Sequence, residues 1–172
     1  MKSSGLTIWT IGHSNQPLAR LVELLRTHKI QVVADVRSRP YSRFAPQFNR
    51  QALAKALPEH DLRYLFLGKE LGGKPQEPAF YLADGSLDPE RFTARPEFQR
   101  GLKRLLGEAA HFRVSLMCSE ADPLKCHRSL LLAPELVKRG VKVLHILPDG
   151  GLLEHREAHL PQVRKPRQLK LF

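Results

Sequence analysis

Residues able to do chemistry gather in three short stretches of this 172-residue chain. The richest is "CSEADPLKCHRSLLL", which sets two thiols, Cys118 and Cys126, among Glu120, Lys125, His127 and Arg128. Pro123 is placed to open a turn or helix, so Lys125, Cys126, His127 and Arg128 are expected near a helix N-terminus. There, unpaired amides and the helix dipole attract an anion and lower the pKa of a thiol. A thiolate is a nucleophile, and Glu120 and His127 can give and take protons. The stretch "GHSN" adds His13. In "DVRSRPYSRFAPQFNR", Asp35 is followed by Arg37, Arg39 and Arg43, and guanidinium forks grip phosphate through paired donors. Two groups of candidates result. Cys118, Glu120, His127, Asp35 and His13 suit nucleophilic or proton-transfer roles, and Arg37, Arg39, Arg43, Lys125, Cys126 and Arg128 suit an anion.

Plainer roles compete for the same residues. Cys118 is also a small hydrophobe, Asp35 with Arg37 and Arg39 is also a structural ion pair, and His13 after Gly12 also caps a turn. Zinc is the runner-up as a cofactor, held by Cys118, Cys126 and His127 with Glu120 or His13. It ranks below the metal-free reading, because neighbouring helical residues point about 100° apart and the cysteine spacing misses the usual paired templates. The Cys-x5-Arg loop of thiol phosphatases is missing too, since the next arginine after Cys118 is Arg128.

These stretches need a scaffold that brings them together. "LTIWTI" is a short apolar run stopped by Gly12 and predicts the first strand. "PLARLVELLRTH" opens on Pro17 after the cap candidate Asn15, and Leu18, Leu21, Val22 and Leu25 recur at helical spacing. "IQVVADV" predicts a second strand, "NRQALAKAL" a helix capped by Asn49, and "LRYLFLG" a third strand. From Gly68 to Pro96, Gly and Pro break every period, which predicts a long irregular excursion serving as a lid or binding segment. "PEFQRGLKRLLGEAAH" returns to helix, with Phe98, Leu102, Leu105, Leu106 and Ala109 on one stripe. "FRVSLMC" is a strand, residues 126–139 a helix kinked or shortened at Pro134 and ended by Gly140, and "VKVLHIL" the last strand.

Strands alternating with helices predict an α/β fold of three layers, a mostly parallel sheet with helices on both faces. Residues 1–150 are expected as a single domain, with 151–172 a basic C-terminal extension. Ligands of such sheets bind beyond the carboxyl ends of the strands. His13, Asp35 and Cys118 each end or follow a strand, so one shared cleft is expected.

Composition narrows the partners. The chain holds 28 Lys and Arg against 17 Asp and Glu, a net charge of +11. That balance favours a polyanion, nucleic acid or nucleotide, over a neutral partner. No apolar run is long enough to span a bilayer, no basic amphipathic helix suggests a membrane surface, and no signal peptide is visible. Two cysteines are too few for a disulfide framework, so a reducing, cytoplasmic setting is expected.

"TIGHSN", "DVRSRPYSRFAPQFN", the "LGG" after the third strand, "PEFQRGLKRL" and "LMCSEADPLKCHR", in this order, resemble domain-of-unknown-function family 488 of bacteria and archaea. The resemblance covers about Thr7 to Ile146. It implies a compact α/β domain with motif residues at His13, Asp35, Arg37, Cys118, Glu120, Cys126, His127 and Arg128. Some members carry a DNA-repair label, but the family name assigns no reaction.

The last five residues, "QLKLF", resemble the linear motif by which bacterial replication and repair proteins bind the DNA polymerase sliding clamp. An extended segment would set Gln168 at a pocket rim while Leu169, Leu171 and Phe172 fill apolar subsites. Docking of the same residues on the chain's own core is the competing expectation. The combined expectation is an enzyme acting on nucleic acid or nucleotide, of hydrolase or lyase type, in DNA repair and recruited through this tail. A non-catalytic nucleic-acid-binding or adaptor module, or a domain with a structural zinc site, stands as the alternative.

Overall fold

The computed structural model describes residues 5–156, and the QLKLF tail lies outside the described residues. Six strands, β1 (Thr7–Gly12), β2 (Val32–Asp35), β3 (Arg63–Phe66), β4 (Val114–Cys118), β5 (Lys142–Ile146) and β6 (Leu152–Glu154), share one sheet in the order β3-β2-β4-β1-β5-β6. The first five run parallel, and β6 pairs antiparallel with β5. Central strands β2 and β4 are buried at every position, as sheets covered on both faces require.

Chain direction decides which face each helix covers. From β1 the chain steps to β2 and then β3 in one direction, carrying α1 (Leu18–Thr27) and α2 (Arg50–Glu59). From β3 it returns through β4 to β5, carrying α3 (Gly68–Leu71), α4 (Pro89–Ala94), α5 (Pro96–Ala109) and α6 (Ala133–Lys138). Right-handed crossovers in opposite directions must lie on opposite faces. The buried side chains follow suit. Leu21, Leu25, Leu53 and Leu57 pack with Trp9, Val33 and Met117 on one face. Phe92, Phe98, Leu102 and Leu136 pack with Ile8, Ala34 and Leu116 on the other. The expected three-layer α/β architecture is therefore present.

Four local expectations are corrected. The excursion from Gly68 to Pro96 is not irregular throughout: it holds α3 and α4 and buries Leu71, Leu87 and Phe92. Asp88 caps α4, its side chain accepting from the Glu90 and Arg91 amides at 3.1 and 3.3 Å. Buried Arg95 ties the segment down, donating to the Phe92 and Glu70 carbonyls at 3.2 and 3.1 Å. Residues 126–139 do not form one helix; Arg128–Leu132 is a π turn running into α6, with Pro134 in the first α6 turn. Proline cannot donate to the carbonyl four residues back, so the wider turn replaces the regular one.

Neither Asn15 nor Asn49 caps a helix with its side chain; Asn49 instead accepts the Ser42 amide at 2.7 Å, bracing the arginine-rich loop. Strand β5 is also not the last. The turn after it folds β6 back onto the edge and buries His155, so the boundary expected at residue 150 falls inside a hairpin. Among the described residues no helix is long and apolar enough to cross a membrane.

Candidate functional site

The carboxyl ends of β1, β2 and β4 lie side by side. Gly12 is level with Cys118, and Asp35 with Met117. The amides of His13 and Ser14 bond the carbonyls of Cys118 and Ser119 at 2.8 and 2.9 Å. Side chains alternate across a strand, so this common edge divides its polar residues between faces. The single cleft expected for His13, Asp35 and Cys118 resolves into two clusters.

The first lies on the α1–α2 face. Asp35 is fully buried, and Arg37 closes on it through Nε to Oδ1 at 2.9 Å and Nη2 to Oδ2 at 2.8 Å. Tyr64 Oη donates to Asp35 Oδ2 at 2.5 Å. Burial raises the tyrosine pKa, and the carboxylate beside it raises it further. Arg37 also donates through Nη2 to the Phe48 carbonyl at 2.7 Å and through Nη1 to His13 Nε2 at 3.1 Å. His13 must then carry its proton on Nδ1, which donates to the Ser14 carbonyl at 2.7 Å. Burial lowers the His13 pKa, so the ring stays neutral, stacked on Phe48 with centroids 4.6 Å apart. Arg37, expected to grip an anion, is spent on Asp35, Phe48 and His13. The only basic lone pair of His13 faces Arg37.

The second cluster lies on the α5–α6 face, where β4 ends and the π turn begins. Cys118 and Cys126 are free thiols, both buried, with Sγ atoms 2.7 Å apart. Burial raises the Cys118 pKa, keeping that thiol protonated as the donor. The hydrogen bond from Cys118 is the largest effect lowering the Cys126 pKa, reinforced by His127 and Arg128. His127 Nε2 donates to the Val36 carbonyl at 3.1 Å, leaving Nδ1 facing Cys126 Sγ at 3.6 Å. With Nε2–H held by the Val36 carbonyl, the Nδ1 lone pair is the part of the ring that faces the sulfur.

Arg128 is the largest fully buried side chain. Its Nη2 donates to the Glu120 and Ala121 carbonyls at 2.8 and 3.2 Å. Its Nε and Nη1 have no partner, and no carboxylate pairs with it among the described residues. Buried N–H groups are almost always satisfied, and a buried charge normally has a counter-charge. Among the described residues, nothing supplies the missing acceptors or a counter-charge for this guanidinium.

Two glycines make room for this arrangement. A Cβ on Gly12 would lie 1.6 Å from the Glu120 carbonyl oxygen, the atom that accepts from Arg128. A Cβ on Gly73, in the "LGG" stretch, would lie 2.9 Å from the His127 side chain.

The remaining candidates stand at the rim. Glu120 contributes its carbonyl, while the residue is exposed; Lys125 is exposed at the end of a short 3-10 turn. Arg39 and Arg43 are exposed on the loop between β2 and α2. Sequence reasoning missed several partners. Tyr64 closes on Asp35. Arg50 lies over the Phe66 ring at 3.9 Å. Behind Arg128, Thr10 and Ser129 contact the two nitrogens of His145 at 2.7 and 3.3 Å, and His155 joins at 3.1 Å. Burial, then Arg128, brings the His145 pKa down to about 3. A signal for Thr10 and His145 was available: each is the one polar residue in the interior of its strand, between apolar neighbours.

Among the described residues no group of three or more His, Cys, Asp or Glu side chains is arranged to hold a metal ion. Cys118, Cys126 and His127 do come together, as a thiol pair with an imidazole beside it.

Residues 17–133 match the family described as Domain of unknown function DUF488. The chain belongs to the DUF488 family. The matched DUF488 segment spans Asp35, Arg37 and the whole run from Cys118 to Arg128, while His13 precedes it. No curated protein and no solved structure matches the chain.

Proposed function

We propose that this DUF488 chain is an enzyme acting on a nucleic acid or nucleotide, with Cys126 as nucleophile. One observation carries the reading: a thiolate-favouring Cys126, paired with His127, stands near a fully buried Arg128 with two N–H groups that have no partner among the described residues. Donors held ready in a water-poor site stabilise charge that develops during reaction. Cys126 Sγ attacks an electrophilic centre of the substrate, forming one bond as the leaving group departs with a proton from His127 Nδ1. Water then cleaves the adduct and returns the sulfur, giving net hydrolysis. Cys118 has a positioning role, donating to the Cys126 sulfur.

Substrate class follows from the surface. Tyr41 and Phe44 are 78% and 80% exposed, on the loop that also exposes Arg39 and Arg43. Arginines among outward aromatics suit phosphates and stacked bases. In this reading the tail from Gln168 to Phe172 docks the sliding clamp and delivers the enzyme to DNA.

The test is turnover of single- and double-stranded DNA and RNA oligonucleotides and free nucleotides by the purified chain. Cys126→Ser should fold and lose turnover. Wild-type rates in that variant would overturn the assignment of the nucleophile. Salt-sensitive binding by a folded chain with no turnover on any of these would favour the adaptor reading, which the exposed Tyr41 and Phe44 also support. Deleting Gln168 to Phe172 should abolish clamp capture and leave Tm unchanged; a fall in Tm would place the tail on the core.

A further inference from the structure

We propose that Cys126 and Cys118 are the attacking and resolving thiols of a two-electron couple that reduces a small hydroperoxide and closes to an internal disulfide. The proposal goes beyond the nucleic-acid reading and does not depend on it, although both use the Cys126 sulfur.

The geometry carries it. The sulfurs belong to residues eight apart in sequence and already stand 2.7 Å apart. A disulfide needs about 2.05 Å, so closure asks for less than an ångström of travel. Cys118 is fixed at the end of β4, whereas Cys126 follows a short 3-10 turn, Pro123–Lys125, outside any strand. The small adjustment therefore falls on loop backbone. The two thiols are also unequal. Cys126 faces His127 and favours the thiolate, while Cys118 keeps its proton in the apolar core. That is the division of labour between a sulfur that attacks and one that resolves.

Substrate size follows from burial. Cys126 is only 5% exposed and Cys118 2% exposed, so a hydroperoxide of a few atoms reaches the sulfur with the least movement of the chain. Arg128 lies close enough to lower the pKa of both thiols, and its Nε and Nη1 lack partners among the described residues. Those N–H groups suit the oxygen that leaves as the O–O bond breaks.

The steps balance. The Cys126 thiolate attacks the distal peroxide oxygen, an S–O bond forms, the O–O bond breaks, and the departing alkoxide takes a proton to give an alcohol. Cys126 is now a sulfenic acid. Cys118 sulfur attacks the Cys126 sulfur, the S–S bond forms, the S–O bond breaks, and hydroxide takes the Cys118 proton to give water. In sum, two thiols and one hydroperoxide become one disulfide, one alcohol and one water. An external dithiol supplies two electrons and two protons to restore the pair.

The experiment treats the reduced full chain with hydrogen peroxide and follows free thiols and intact mass under denaturing, non-reducing conditions. One equivalent should remove both thiols, leave the chain monomeric with the mass of two hydrogens lost, and reverse with dithiothreitol. Cys118→Ser should halt at a sulfenic acid on Cys126 trapped by dimedone, and Cys126→Ser should consume no peroxide. Arg128→Met should slow the first step about tenfold or more. Thiols that oxidise no faster than free cysteine, a disulfide between chains, or wild-type peroxide consumption by Cys126→Ser would each overturn the proposal. Loss of the peroxide reaction alongside Cys126-dependent turnover of a nucleotide would sink this inference and leave the proposed function standing.

Discussion

Two clusters occupy the same sheet edge and differ in how their charges are met. Around Asp35, every strong donor and acceptor points at another: Arg37 at the carboxylate, Tyr64 at the same carboxylate, His13 at Arg37 and at Ser14. Around Cys126, a fully buried guanidinium meets, among the described residues, only main-chain carbonyls and keeps two N–H groups unpaired. Among the described residues the first cluster is complete and the second is not. In the sequence both read as arginine beside a reactive group. Satisfaction of the donors, which only the assembled structure reveals, separates the two.

Cutting the closed cluster should have the largest effect. Arg37→Met leaves Asp35 buried with its main counter-charge gone, which costs about 3–5 kcal/mol. Urea denaturation of the variant against wild type measures it. A loss below about 1 kcal/mol would mean that Asp35 has another source of compensation, and the cluster would not be closed in the sense used here.

Acid should come next, because each region holds an imidazole neutral: His13 in the first, His145 behind the second. The His145 pKa falls from 6.5 to about 3 on folding. Between those values the unfolded chain binds a proton that the folded chain refuses, so stability falls as pH drops through that window. The slope reaches about 1.4 kcal/mol per pH unit, about 2 kcal/mol by pH 5. His13 adds in the same direction, since its folded pKa is also lowered. Thermal denaturation across this range should show the slope, and His145→Gln should remove its share. Stability that is flat from pH 6.5 to 5 would mean that water reaches these rings.

Sequence legibility followed the same divide. Strand β1, its stop at Gly12, the α5 stripe and the alternation that gives a layered sheet were all readable, because each rests on a local period. Helices α3 and α4 were missed because four and six residues are under two turns and show no period. Strand β6 was missed because three residues cannot display alternation. The residues of the site were named, but their division between faces was not. It depends on which side of β2 Asp35 falls relative to Cys118 on β4, a register that neither stretch contains by itself. The expected kink at Pro134 pointed to the right place, and the π turn immediately before it carries Arg128 and Ser129.

The smallest expected effect is the most telling. Arg128→Met removes a charge as deeply buried as Asp35, from a residue the sequence had ranked beside Arg37. The variant loses two hydrogen bonds to carbonyls, at about 1–3 kcal/mol for acceptors left unsatisfied. It also removes a buried guanidinium without a carboxylate partner, and replacing buried charge with apolar volume commonly recovers 1–4 kcal/mol. The two effects are similar in size and opposite in sign, so folding stability should stay within about 1 kcal/mol of wild type. The Cys126 pKa should rise at the same time, because Arg128 is among the groups that lower it; the pH dependence of alkylation reads that directly. A variant as stable as wild type but with a sluggish thiol would mean Arg128 is held for what it does to a ligand and to sulfur. If Arg128→Met instead unfolds the chain as Arg37→Met does, the second cluster is architectural as well, and the contrast between the two disappears.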